Sequence, residues 1–140
     1  MTTGDENVTV GLAGRRALRD PARVWFVSSA PRPDAAVALF CLPYAGAGPS
    51  AFHQWPKLLG PDVDVAAVAL PGREGRFAEP PDWDVTELAG AVTARANSRR
   101  YALYGHSMGA KMAVEIVREL RHRGDPLPVL VAIGGSRAPH

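Results

Sequence analysis

Tyr101-Ala102-Leu103-Tyr104-Gly105-His106-Ser107-Met108-Gly109 is the stretch whose reading decides the fold. Tyr101 to Gly105 is mostly apolar without helical spacing and follows the polar Asn97-Ser98-Arg99-Arg100, which predicts a short buried strand. Beyond Ser107, Met108, Met112, Ala113, Ile116, Val117 and Leu120 recur at three- and four-residue steps, while Lys111, Glu115, Arg118, Glu119 and Arg121 take the other face. That spacing predicts an amphipathic helix. Gly124, with Pro126 just beyond, stops it, and Lys111 with Glu115 predicts an exposed one-turn pair. The stretch reads as strand, sharp turn and helix, with a serine at the turn.

In that context Gly105-His106-Ser107-Met108-Gly109 has the form of a nucleophile elbow, G-x-S-x-G. The elbow holds its serine in a strained backbone conformation, and the residues two places either side pass too close to allow a Cβ. Gly105 and Gly109 are therefore the elbow glycines. Ser107 is the candidate catalytic nucleophile. The helix that follows points its N-terminus at the site, which makes the Met108 N–H a candidate oxyanion donor.

Outward from the elbow, strand and helix signals alternate. Val24 to Val27 predicts a first edge strand, and Ala36 to Leu42 is an apolar run suited to a strand buried on both faces, ended by Pro43. Tyr44-Ala45-Gly46-Ala47-Gly48-Pro49 is a glycine-rich loop leading into a predicted helix from Ser50 to Leu59, with Ser50 as its cap. Val63 to Leu70 is the next strand, Arg73 to Asp82 a loop, Trp83 to Ala96 a helix with its entry, and Val129 to Ile133 a last strand. The expectation is an α/β fold, a mostly parallel sheet with helices on both faces and any active site along the carboxyl edge of the strands. Residues 1–22 lack a periodic apolar face and read as a loose leader; residues 23–140 read as the N-terminal portion of one domain.

Composition narrows the function classes. The 140 residues are 46% hydrophobic and 21% charged, compatible with one globular domain that buries a real core. No stretch approaches the roughly 20 apolar residues of a membrane helix, and Met1 to Val10 has no export-signal pattern, so the expected location is cytoplasmic. A net charge of +2 gives no argument for nucleic acid. His53, His106, His122 and His140 have no metal-ligand spacing, so no metal is expected. Cys41, the single cysteine, lies inside a strand pattern and reads as a small buried residue.

The first loop carries a competing signal. Gly46-Ala47-Gly48-Pro49-Ser50-Ala51 fits the dinucleotide fingerprint G-x-G-x-x-A directly after a strand. Such a site needs an acidic residue at the end of the next strand, where this chain reads Ala69-Leu70-Pro71-Gly72-Arg73 and Glu74 lies too far along. No cofactor is expected. In a hydrolase the same loop supplies the second oxyanion donor from its backbone, with Ala45 as first choice and Tyr44 as the fallback.

Four ordered stretches now line up: Leu39-Phe40-Cys41-Leu42-Pro43-Tyr44-Ala45-Gly46, Leu70-Pro71-Gly72-Arg73, Leu103 to Ala110 across the elbow, and Gly135-Ser136-Arg137-Ala138-Pro139-His140. Together they resemble the type II thioesterases that accompany polyketide and nonribosomal peptide synthases. The resemblance implies an α/β-hydrolase fold and hydrolysis of acyl groups from the phosphopantetheine arm of acyl or peptidyl carrier proteins, with an editing role. The phosphopantetheine belongs to the substrate, not to the enzyme. It also implies that His106 is wall or support rather than base. Family chains run on for roughly another hundred residues, and a hydrolase triad follows the order Ser, acid, His. The chain is therefore expected to lack the C-terminal strands, the acid and the base, to be weak or inactive alone, and to be completed by a further C-terminal chain. A non-catalytic carrier-binding remnant and another serine esterase or acyltransferase are the alternatives.

Overall fold

Alternating Val, Ala, Phe and Cys make Val37–Leu42 (β2) a strand with both faces covered, and it lies at the middle of a five-stranded sheet. The computed structural model describes residues 24–135. The predicted leader, residues 1–22, and the Ser136-Arg137-Ala138-Pro139-His140 turn lie outside the described residues. Phe26–Val27 (β1), Val63–Val68 (β3), Arg100–His106 (β4) and Leu130–Gly134 (β5) complete the sheet in the order β1-β3-β2-β4-β5. Among the described residues only β1 is antiparallel to its neighbour; β2 runs parallel to β3 and to β4, and β4 parallel to β5. The α/β expectation holds, including the edge strand, which is shorter than Val24 to Val27 implied.

Helices cover both faces. On one, Leu88 and Val92 of Val85–Ala96 (α2) and Met112, Ile116 and Leu120 of Met108–Arg123 (α3) pack on Phe40, Leu42, Val68 and Leu103. On the other, Phe52 and Trp55 pack on Cys41, Val65 and Ala67. Asp84 caps α2, its carboxylate accepting from the Thr86 N–H at 2.7 Å. Gly124 ends α3 in the left-handed conformation with φ 72°.

Three local expectations need correction. The predicted helix from Ser50 to Leu59 is a 3-10 turn, Pro49–Phe52, followed by a short helix, Trp55–Leu59 (α1). Pro49 and Pro56 each sit in a first turn, where their missing N–H costs nothing, so each marks the beginning of a new element rather than the interior of one long helix. Gly48, not Ser50, occupies the cap, and the Ser50 hydroxyl donates to the Glu74 carboxylate. Glu115 pairs with Arg118 at 2.7 Å instead of with Lys111.

The amino edge of the sheet is held by a buried ion cluster. Asp64, at the start of β3, is wholly buried. Its Oδ2 lies 3.0 Å from Arg99 Nη2 and 3.2 Å from Arg95 Nη2, and its Oδ1 accepts the Arg32 N–H at 2.9 Å. A carboxylate tolerates such burial only when paired and hydrogen-bonded in this way. The Arg32 guanidinium meanwhile donates to the carbonyls of Pro56, Gly60 and Val63, closing the end of α1. Nearby, the Tyr101 hydroxyl donates to the Pro126 carbonyl, and burial together with the Asp125 charge pushes its pKa up to about 12. Among the described residues β5 forms the far edge of the sheet, where Leu130 is 60% exposed.

Candidate active site

The β4–α3 junction brings Ser107 to the carboxyl edge of the sheet with φ 53° and ψ −111°, outside the regions that L-residues ordinarily occupy. Its backbone is gripped from both sides. The Ser107 N–H donates to the Gly134 carbonyl at 2.8 Å, and the Ser107 carbonyl accepts from the Ala110 N–H at 3.0 Å. The side chain is exposed. Among the described residues its hydroxyl has no histidine partner.

The flanking glycines have a measurable reason to be there. A Cβ on Gly105 would stand 2.2 Å from the Gly109 carbonyl oxygen, and one on Gly109 would stand 2.2 Å from the Leu42 carbonyl oxygen and 2.9 Å from that of Pro43. The first turn of α3 therefore rides directly on the end of β2. Met108 opens the 16-residue helix, so its N–H has no intrahelical partner and sits at the positive end of the helix dipole.

The end of β2 leads into the other candidate donor. Tyr44, Ala45 and Gly46 are exposed. The Ala47 N–H donates to the Tyr44 carbonyl at 3.1 Å, and Gly46 has φ 81°, which together make a type II turn with Ala45 at its first corner. Arg73, from the loop after β3, donates to the Tyr44 carbonyl at 3.2 Å and to that of Ala47 at 2.9 Å; its Nη2 lies 3.8 Å from Met108 Sδ.

Arg73 enters the sequence reading only within the Leu70-Pro71-Gly72-Arg73 stretch and Glu74 only as a ribose ligand; their partners escaped it because no spacing rule links positions 73 and 74 to 44, 47 and 50. The glycine fingerprint has a contact inside the protein to explain it. A Cβ on Gly48 would stand 2.5 Å from Glu74 Cδ, and the Glu74 carboxylate accepts from the Ser50 N–H and hydroxyl.

His106 lies beside the serine but across the end of β5. Its ring meets the Tyr44 ring edge-on at 5.9 Å between centroids, and a Cβ on Gly135 would stand 2.6 Å from His106 Cε1. Ile133-Gly134-Gly135 brings no carboxylate to that strand end, and Asp125 is at the opposite edge, beside Tyr101. Cys41 is fully buried, and desolvation pushes its thiol up to about 12, so it stays protonated. A groove of about 490 Å³ lies on the α1 face; Phe52, Val65, Ala67, Arg73 and Glu74 are among its lining residues, and Ser107 is not. Among the described residues no His, Cys, Asp and Glu group fits a metal ion, and no helix is long and apolar enough to cross a membrane.

Residues 37–140 match the thioesterase domain family model. The chain is 38% identical over 128 residues to thioesterase PikA5 of Streptomyces venezuelae, covering 89% of this chain and 46% of that one. It shares 45% identity and a TM-score of 0.68 with RedJ, the thioesterase of the prodiginine pathway in Streptomyces coelicolor, over 79% of this chain and 43% of the other. With the type II thioesterase BorB from the borrelidin biosynthetic cluster it shares 40% identity and a TM-score of 0.64, over 77% and 46% of the two chains. The chain spans less than half the length of these relatives. Family model, sequence relatives and fold coincide: this chain belongs to the thioesterase domain family.

Proposed function

We propose that this chain is the nucleophile-bearing part of a type II thioesterase, which hydrolyses acyl thioesters on the phosphopantetheine arm of acyl or peptidyl carrier proteins and so clears unwanted acyl groups in polyketide or nonribosomal peptide synthesis. The observation that carries the reading is the Ser107 backbone, a non-glycine residue held at φ 53° and ψ −111° at a strand end and the N-terminus of a helix. Strain of about 1–3 kcal/mol at such a position persists only where surrounding structure enforces it, and it raises the hydroxyl into reach of substrate. Names of relatives add the chemical class: thioesterases of the prodiginine, borrelidin and, as a probable assignment, anguibactin biosynthetic pathways.

The chemistry is covalent. A general base takes the Ser107 proton, and Oγ attacks the thioester carbonyl carbon. The oxyanion that forms is met by the Ala45 and Met108 N–H groups, and the C–S bond breaks as the carrier thiol leaves with a proton. Water then hydrolyses the acyl-serine, releasing the acid and restoring Ser107. Gly105 and Gly109 permit the turn, His106 forms a wall with Tyr44, and no cofactor enters the reaction. The base and the acid that orients it come from protein outside the described residues, in this chain or in a complementing one. The reaction is placed in the cytoplasm.

The test follows thiol release from an acyl-carrier thioester, by residues 1–140 alone and with a fragment supplying the carboxyl-terminal half of a relative. Release only in the mixture, reduced at least about a thousandfold by Ser107→Ala, is the expected result. Release that survives Ser107→Ala would contradict the reading, and a chain that binds carrier protein yet stays silent in both settings would mark a binding remnant.

A further inference from the structure

We infer that Arg73 is a positioning residue for the oxyanion hole: one guanidinium fixes the direction of the Ala45 N–H and touches the residue that bears the second donor. The inference rests on the reading of Ser107 as nucleophile with Ala45 and Met108 as donors.

The geometry works through a single peptide plane. The Tyr44 carbonyl and the Ala45 N–H belong to the same planar trans peptide unit, so they point in opposite directions. Arg73 Nη1 donates to the Tyr44 oxygen at 3.2 Å, which fixes that plane and aims the Ala45 N–H away from Arg73. The same nitrogen donates to the Ala47 oxygen at 2.9 Å, so both ends of the turn that contains Ala45 are held. Within the turn itself the restraint is the Ala47 N–H bond to the Tyr44 carbonyl at 3.1 Å; Ala45 and Gly46 are exposed and carry no side chain long enough to add to it. Nη2 of the same guanidinium lies 3.8 Å from Met108 Sδ, so the side chain spans from the end of β2 to the start of α3.

Arg73 is itself aimed by its surroundings. Leu70 and Pro71 are buried, and Gly72 turns the chain with φ 84°, its N–H donating to the Arg76 carbonyl at 2.9 Å. A Cβ on Gly72 would also stand 3.0 Å from Pro81 Cβ. The next residue, Glu74, accepts from Ser50 at the far end of the same loop. Two successive side chains thus grip the 44–50 loop at both ends. A lysine would keep the charge but not the planar fork that serves two carbonyls and the thioether together.

The experiment uses residues 1–140 together with the fragment that supplies the carboxyl-terminal half, with Arg73→Lys and Arg73→Ala beside wild type. Two quantities are read: hydrogen exchange of the amides in residues 44–48, and the rate at which a p-nitrophenyl alkylphosphonate labels Ser107, located by mass spectrometry. The phosphonyl oxygen of that probe needs the same two N–H donors as a thioester oxyanion. In Arg73→Ala the Ala47 amide exchanges faster and labelling slows roughly 10- to 100-fold. Arg73→Lys falls between, and free guanidinium restores part of the rate to Arg73→Ala but none to wild type, which a general loss of structure would not show. Should Arg73→Ala fail to fold, Arg73→Lys decides. Equal labelling rates in wild type and variants overturn the inference while leaving the nucleophile in place. A wild-type Ser107 that takes no label removes the proposed function and, with it, the catalytic half of the inference; the exchange data then read the clamp alone.

Discussion

The two edges of this sheet are built on opposite terms. At the amino edge the buried charge is answered: Asp64 is fully buried but meets Arg95, Arg99 and the Arg32 N–H, and Tyr101 meets the Pro126 carbonyl. At the carboxyl edge groups are left strained or open. Ser107 has an unfavourable backbone conformation and an exposed hydroxyl, and Ala45 lies in an exposed turn. Both edges use the same strands, β2, β3 and β4, so the difference does not come from the core. It shows where a fold of this kind places its stability and where it places its chemistry: the locked edge sustains the strained one.

Substitutions can break or sharpen that contrast. Asp64→Ala should cost the most stability, about 3 kcal/mol, because it strands two arginines whose side chains are only 24% and 16% exposed. Urea unfolding should show it, with labelling of Ser107 in the remaining folded protein unchanged; a loss of labelling out of proportion to unfolding would mean that the edges are not separable. Gly109→Ala should follow at about 2–3 kcal/mol, since its Cβ would collide with the rigid Leu42 carbonyl at 2.2 Å. Here stability and labelling should fall together, as α3 is pushed off the end of β2. A stable, fully reactive Gly109→Ala would show that the contact can relax at no cost.

Most of the architecture was legible because it rests on periodicity. The 3.6-residue spacing from Met108 to Leu120 and the apolar runs at Ala36 to Leu42 and Tyr101 to Gly105 report burial directly, and burial places the elements. Residues around Ser107 were legible for a different reason: Gly105 and Gly109 are required locally, by atoms within a few residues or on the adjacent strand. Asp64, Arg73 and Glu74 were not legible. Each matters through partners tens of residues away, such as Asp64 with Arg32, Arg95 and Arg99, and a charged residue in a sequence carries no mark of which backbone carbonyl or distant charge it will meet. The break of the predicted Ser50 to Leu59 helix was readable from Pro49 and Pro56, which each lie in the first turn of an element.

The most direct test of the central claim, that Ser107 is held under strain for chemistry at an edge sustained from elsewhere, is the urea unfolding midpoint of Ser107→Gly. Glycine accepts φ 53° freely, and Ser107 caps the helix with no side-chain hydrogen bond, so none is lost. Relief of strain less the entropy glycine adds to the unfolded chain leaves a gain of about 1 kcal/mol, with the slope of the transition unchanged and Ser107-dependent thiol release abolished. An unchanged or lower midpoint would mean that the serine is not strained in the folded protein, and would contradict the account.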